Sequence, residues 1–256
     1  PTRRSSDLHW RVEENNLEDY FPKEWLSNDF GKGFCLSEVL NVMRILMLIA
    51  NIETEKYPED DSAFNVNKLR EFCPTVQASS LERALCEATE MSIVKVINIL
   101  NFLTFNSSPT GDIWCQPLVK LKKNKYALLT SALNAPVMFR LIERWAFLFN
   151  IDLAEKGTTY ETRIVDEINS ALGTNAFITD YDKAVSKRIK IESIEEEIDL
   201  LARIDDLILI GEAKSIVTTD SEISKHRTSE VLQHAGEQVV RKTEFIKANL
   251  ETVFDR

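Results

Sequence analysis

Apolar positions recur along this chain with two different periods, and the change of period divides it. Up to about residue 150 the spacing is helical. Residues 36–52 are apolar around most of a helical circumference, which predicts a helix buried in a core. Residues 80–105 carry Leu81, Leu85, Ala88, Met91, Val94 and Ile97 as a stripe. They open on Ser79-Ser80-Leu81-Glu82, a capping-box pattern, so one long helix is expected there. Residues 117–121 and 126–129 flank the basic turn Lys122-Lys123-Asn124-Lys125 and read as a small hairpin, its tip either solvated or touching phosphate. Pro136 then marks a helix start, with Phe139, Ile142, Trp145, Ala146 and Phe149 as the buried face. Residues 10–34 are polar with scattered aromatics and are interrupted by Pro22, and residues 51–65 are charged and loop-like.

From a boundary at 151–157 the pattern changes. Residues 159–172 form an amphipathic helix whose stripe is Ile164, Val165, Ile168 and Leu172, and Glu161 falls on that same apolar face. Residues 176–181 and 185–194 are strand candidates, as two short strands or one bulged strand. Residues 197–214, EIDLLARIDDLILIGEAK, then read as a hairpin. Ile198, Leu200, Ala202 and Ile204 alternate with Asp199, Leu201 and Arg203, Asp205-Asp206 supplies the turn, and residues 207–210 are apolar on both faces. A two-residue loop pairs Ile204 with Leu207, which sets Asp199 opposite Glu212 and Glu197 opposite Lys214. After a polar segment at 215–224, residues 229–254 are helical, with Leu232, Ala235, Val239, Ile246 and Leu250 as the stripe and Gln238 and Lys242 on its edge.

Composition narrows the class. A chain of 256 residues, 44% of them hydrophobic and with 7 Gly and 7 Pro, buries a substantial core in one large or two modest domains. No apolar run approaches the length of a membrane span. Cys35, Cys73, Cys86 and Cys115 show no zinc spacing, which points to a reducing, cytoplasmic setting. The net charge is −10. From residue 151 onward 22 Asp and Glu stand against 14 Lys and Arg, a balance of −8. A nucleic-acid partner would therefore have to be held by local basic patches and a metal rather than by net charge.

The chemistry collects on the 197–214 hairpin. Residues facing each other across an antiparallel pair lie about 4.5–5.5 Å apart at Cβ, and residues two apart share a face. Asp199, Glu212 and Lys214 therefore converge on one patch of an otherwise apolar hairpin. Buried like charges need a partner: a hard divalent cation supplies one through oxygen ligands, the alternative being a surface hairpin with a salt-bridged Asp–Glu–Lys cluster. Removing one carboxylate from such a repelling cluster is expected to leave the fold intact or even stabilise it.

Asp199 followed by Glu212-Ala213-Lys214 on consecutive strands resembles the PD-(D/E)XK nuclease superfamily, with Ile198 where the family carries proline. The likeness covers roughly the last hundred residues. It implies an α/β chain: a restriction-endonuclease-like core of helix, strands and helix at 151–256, preceded by a mostly helical domain at 9–150. It implies a nuclease that hydrolyses phosphodiester bonds with Mg²⁺, or Mn²⁺ in its place, DNA being the expected substrate. Asp199 and Glu212 would bind the metal, Lys214 would assist hydrolysis, and Glu161 would complete the metal site, unless it is a helix-end carboxylate favoured by the dipole. Gln238 and Lys242 would position water or phosphate, or else be polar boundary residues. A catalytically silent nuclease-like fold serving as an acidic interaction module is the other reading. Residues 1–8 read as a non-native scar. The family core ends on a strand after its second helix, so the chain is expected to stop short of that strand and to leave a self-associating sheet edge.

Overall fold

The computed structural model describes residues 17, 20–57, 72–107, 111–216 and 222–254. The expectation for residues 1–8 lies outside them, as do parts of the 10–34, 51–65 and 215–224 segments. Among the described residues the protein is mixed α/β, with nine helices and two three-stranded antiparallel sheets. It divides into two compact units, one containing Lys23–Asp152, the other Glu18–Pro22 and Leu153–Arg256.

The first unit contains α1 (Lys23–Ser27), α2 (Leu36–Thr54), β1 (Thr75–Gln77), α3 (Ala78–Thr89), α4 (Ile93–Phe102), β2 (Leu118–Leu121), β3 (Lys125–Leu128), α5 (Thr130–Asn134) and α6 (Met138–Leu148). Trp25, Leu40, Met43, Leu46, Leu85, Ile99 and Trp145 are fully buried in it. Phe102 meets Phe34 and Phe149 edge-on, with centroids 5.6 and 5.3 Å away, the arrangement the ring quadrupole favours. The expected hairpin is present as β2 and β3, and β1, which periodicity does not announce, pairs with β3. The long helix expected over 80–105 is two helices. Glu90 turns left-handed at φ 58°, and Ser92 restarts the coil by accepting a hydrogen bond from Lys95 N at 3.4 Å. Because α3 begins at Ala78 with Gln77 at its N-cap, residues 79–82 lie inside the helix and do not cap it.

The second unit runs α7 (Ala154–Thr174), β4 (Tyr181–Ile191), β5 (Ile194–Ile204), β6 (Leu207–Gly211), α8 (Glu222–Ala248) and α9 (Leu250–Phe254). The strands form a meander in the order β4-β5-β6. Residues 176–180 are not strand. The Asn175 side chain accepts from Phe177 N at 2.9 Å and holds the chain in a turn until Tyr181. Beyond it, β4 is one bulged strand.

Two bulges offset each other in this sheet. Between Asp182↔Arg203 and Val185↔Leu201 the extra residue is on β4; between Val185↔Leu201 and Lys187↔Ile198 it is on β5, at Asp199-Leu200. The strict alternation expected for β5 is therefore broken. Ile198 and Leu201 share one cluster with Ile189, Ile246 and Val253, on the face covered by α8 and α9. Leu200 and Ala202 face the other way, packed with Ala184 against Val165 and Ile168 of α7. A bulge re-aims the side chains beside it, and here the residue beside it is Asp199. On α8 the expected stripe is only partly buried: Ala235 and Ile246 are inside, whereas Leu232 is exposed.

Candidate active site

The β5–β6 ladder has the register that the two-residue turn dictates. Asp205 adopts φ 49°, Ile204 pairs with Leu207, and the pairing continues to Leu200↔Gly211. There β6 stops. Asp199 and Glu212 are the next residues on either side, one step past the last pair. Gly211 eases this close approach, because a Cβ on it would lie 3.0–3.1 Å from Leu200 side-chain atoms and would make that side chain give by a few tenths of an ångström. Glu197 is not opposite Lys214, which lies beyond the end of the ladder. It pairs with Arg188 of β4, whose Nη2 donates to Glu197 Oε2 at 3.0 Å.

Asp199 accepts a hydrogen bond from the backbone N–H of Ala213 at 3.0 Å through Oδ2. Its other oxygen, Oδ1, takes a contact at 3.4 Å from the Lys242 ammonium. The same ammonium donates to Glu212 Oε2, and Lys214 Nζ donates to Glu212 Oε1 at 2.5 Å. The Lys242 and Glu212 side chains are 4% and 3% exposed, so this is a buried ion pair. Lys214 is 31% exposed and reaches solvent. Burial works to raise the Glu212 carboxyl, but hydrogen bonds from Lys214 and Lys242 more than offset it and hold the group below the usual glutamate range.

Glu161, on α7, lies within electrostatic range of this cluster. Asn169 of α7 donates to Ala184 O at 2.9 Å and accepts from Ala184 N at 2.8 Å. The β4 bulge leaves Ala184 without a ladder partner, so one side-chain amide satisfies both its backbone groups and anchors the helix. Two turns earlier, the Glu161 carboxyl is pushed above its usual range, first by burial and then by the negative charge of Asp199, with smaller contributions from Glu197 and Glu212 against an opposing one from Lys214.

Asp199, Glu212, Lys214 and Lys242 are thus gathered at the end of the β5–β6 ladder, and Glu161 feels their charge without touching them. Lys242 sits between the carboxylates, a position its place on the edge of an amphipathic stripe does not disclose. Gln238 lies one turn before it on α8, and its Oε1 is buried without a hydrogen-bond partner, as is Ser215 Oγ beside Lys214. Ser215 and the Ala213 N–H have no sequence signal.

One ammonium in contact with both Asp199 and Glu212 shows that the two carboxylates converge on a single cation position, and their all-oxygen donor set suits a hard divalent ion. Among the described residues no three His, Cys, Asp or Glu side chains are gathered as a ready-made metal cage, and no helix is long and apolar enough to cross a membrane. Compared with known proteins, the chain matches no family model, no curated protein and no solved structure.

Proposed function

We propose that the second unit is a Mg²⁺-dependent nuclease with a restriction-endonuclease-like core, hydrolysing phosphodiester bonds in DNA. The observation that carries this reading is the convergence of Asp199 and Glu212 on one cation position, with Lys214 against Glu212 and Glu161 within reach of their charge. The order helix, three antiparallel strands, helix supports it. Asp199 and Glu212 would hold Mg²⁺, or Mn²⁺, with Glu161 auxiliary. Such an ion supplies a hydroxide at neutral pH and neutralises charge on the phosphoryl oxygens. Lys214, the solvent-facing lysine of the pair, orients the attacking water or balances the charge that develops on phosphate. The Ala213 N–H fixes the orientation of the Asp199 carboxylate, and Gln238 Oε1 offers a buried acceptor one turn from Lys242.

Cleavage of supercoiled plasmid and of single-stranded oligonucleotide, with and without Mg²⁺, tests this reading. The wild type is expected to cut only with the metal, Asp199→Ala and Glu212→Ala to be inactive, and Lys214→Ala to lose turnover more than metal affinity. Undiminished cleavage by Asp199→Ala would sink the assignment. A second reading, an acidic interaction module without catalysis, draws on the surface charges. Arg203 is held by Asp180 and Asp182, Arg188 by Glu195 and Glu197, and Arg241 by Glu196, so these guanidiniums are already spent on carboxylates. Absence of cleavage by a folded wild type in both metals would favour that reading.

A further inference from the structure

Resting on the metal-dependent reading above, we infer that Lys242 is a displaceable internal cation. It holds Asp199 and Glu212 together in the metal-free protein and moves toward Gln238 when a divalent ion takes its place. Two observations carry this independently. The first is position: the ammonium lies in contact with one oxygen of each carboxylate, where an ion shared by the two would sit. One point cannot hold both cations, since an ammonium beside a divalent ion would face its full repulsion at low dielectric. The second is the orphaned acceptor. Gln238 Oε1 is buried and unpartnered, and Gln238 and Lys242 are four apart on α8, hence neighbours on one helix face. A buried amide oxygen without a donor is costly, and a displaced ammonium one turn away would satisfy it.

The arrangement has a purpose that a permanent salt bridge does not serve. Without Lys242, Glu212 would keep only Lys214 and Asp199 would keep only a backbone N–H, and the site would splay or bind any cation. With it, the carboxylates are pre-assembled, and only an ion that out-competes an ammonium enters. Lys242 is a positioning residue in this scheme, and it sets the threshold for metal loading.

Isothermal titration of the full chain with Mn²⁺ and with Mg²⁺ tests it without reference to activity. Lys242→Met is expected to bind Mn²⁺ at least about tenfold more tightly than the wild type, because no internal cation has to leave a buried pair. Gln238→Leu is expected to bind it more weakly, because the displaced ammonium loses its acceptor. Arg241→Met removes a neighbouring positive charge that does not lie between the carboxylates. An equal gain in that variant would reduce the effect to net charge and overturn the inference. So would unchanged or weaker Mn²⁺ binding by Lys242→Met. Should Lys242→Met fail to fold, a structure of the wild type with Mn²⁺ decides: the anomalous peak is expected between Asp199 and Glu212 with Lys242 Nζ at Gln238 Oε1, and an ammonium still between the carboxylates overturns the inference. Asp199→Asn separates the two levels. If wild type and Lys242→Met bind no more metal than Asp199→Asn does, the metal-dependent reading falls and this inference with it. Asp199-dependent binding that is indifferent to Lys242 overturns only the inference.

Discussion

Asp199 and Ala213 are joined across the open end of the β5–β6 ladder, the Ala213 N–H donating to Asp199 Oδ2 at 3.0 Å. The bond does the work of the ladder pair that would have come next. It ties the segment carrying Glu212 and Lys214 to β5 after β6 has ended, and it leaves Oδ1 turned toward Lys242. The bulge at Asp199-Leu200 and the end of β6 at Gly211 thus produce the site together.

This relationship changes the expected behaviour of Asp199 variants. Seen as one of several repelling carboxylates, Asp199 would be removable at no cost. In the structure it neutralises a buried lysine and satisfies a backbone N–H, so Asp199→Ala should destabilise the metal-free protein by about 1–3 kcal/mol. Asp199→Asn keeps an acceptor for Ala213 and should recover most of that loss while remaining inactive. Urea unfolding of both variants, beside the cleavage assay, separates the structural part from the chemical one. Equal destabilisation by Ala and Asn would show that the charge, not the hydrogen bond, carries the stability.

The two glutamates should give opposite pH signatures. The Glu212 carboxyl is held below its ordinary value of about 4.5, so its contribution to stability is present above that value and lost as pH falls through the lowered one. The Glu161 carboxyl is raised, so its contribution is full below about 4.5 and is lost as pH rises through the raised value. Glu161→Gln is therefore expected to raise the Tm of the metal-free protein at pH 7 and to leave it unchanged near pH 4. Glu212→Gln should lower it at pH 7, with the deficit shrinking in acid. Thermal unfolding by circular dichroism between pH 3.5 and 8 checks both, and a Glu161→Gln protein less stable than wild type at pH 7 would remove Glu161 from the cluster.

Much of this site is legible in one hairpin. The turn residues Asp205-Asp206 fix the register, and the register places Asp199 beside Glu212 whatever the rest of the chain does. The bulge is not legible, because it is a property of two strands at once: Asp199-Leu200 is an insertion only relative to the pairing with Val185 and Lys187. Lys242 is hidden for a similar reason. It comes from a helix 30 residues beyond Glu212, and amphipathic periodicity reports only that it borders the apolar face. The break at Glu90 escapes because Glu is a good helix former and nothing local marks it as left-handed. The three-residue β1 is too short to show a period.

Gly211 gives a steric test of how finely the end of the ladder is set. A methyl group there would lie 3.0 Å from Leu200 Cδ2 and 3.1 Å from its Cβ, with Asp199 next to Leu200 and Glu212 next to the glycine. Leu200 is buried against α7 and has little room to give. Gly211→Ala should cost about 1–3 kcal/mol, the usual range for overpacking, and should weaken Mn²⁺ binding along with cleavage because both carboxylates shift. Normal stability with normal metal binding would mean that the strands separate at this point without consequence.

The outer edge of β6 supplies the last prediction. Among the described residues β6 pairs on one side only, with β5, and its sequence is Leu-Ile-Leu-Ile-Gly. Leu207 is 73% exposed and Leu209, at the centre of the strand, 41%. A short apolar edge without lysine, proline or bulge carries none of the usual protections against strand addition, and its free N–H and C=O groups offer a template for pairing. Concentration-dependent self-association is therefore expected through this edge. Leu209→Lys puts a charge at its centre, so pairing in either direction would bury an ammonium against apolar side chains. Sedimentation velocity over a hundredfold range of concentration should show association in the wild type and its loss in Leu209→Lys. The unfolding free energy should stay within about 1 kcal/mol, as for most substitutions of partly exposed residues. Association that survives the lysine would place the contact elsewhere, and a protein that is monomeric throughout would show that this edge is covered.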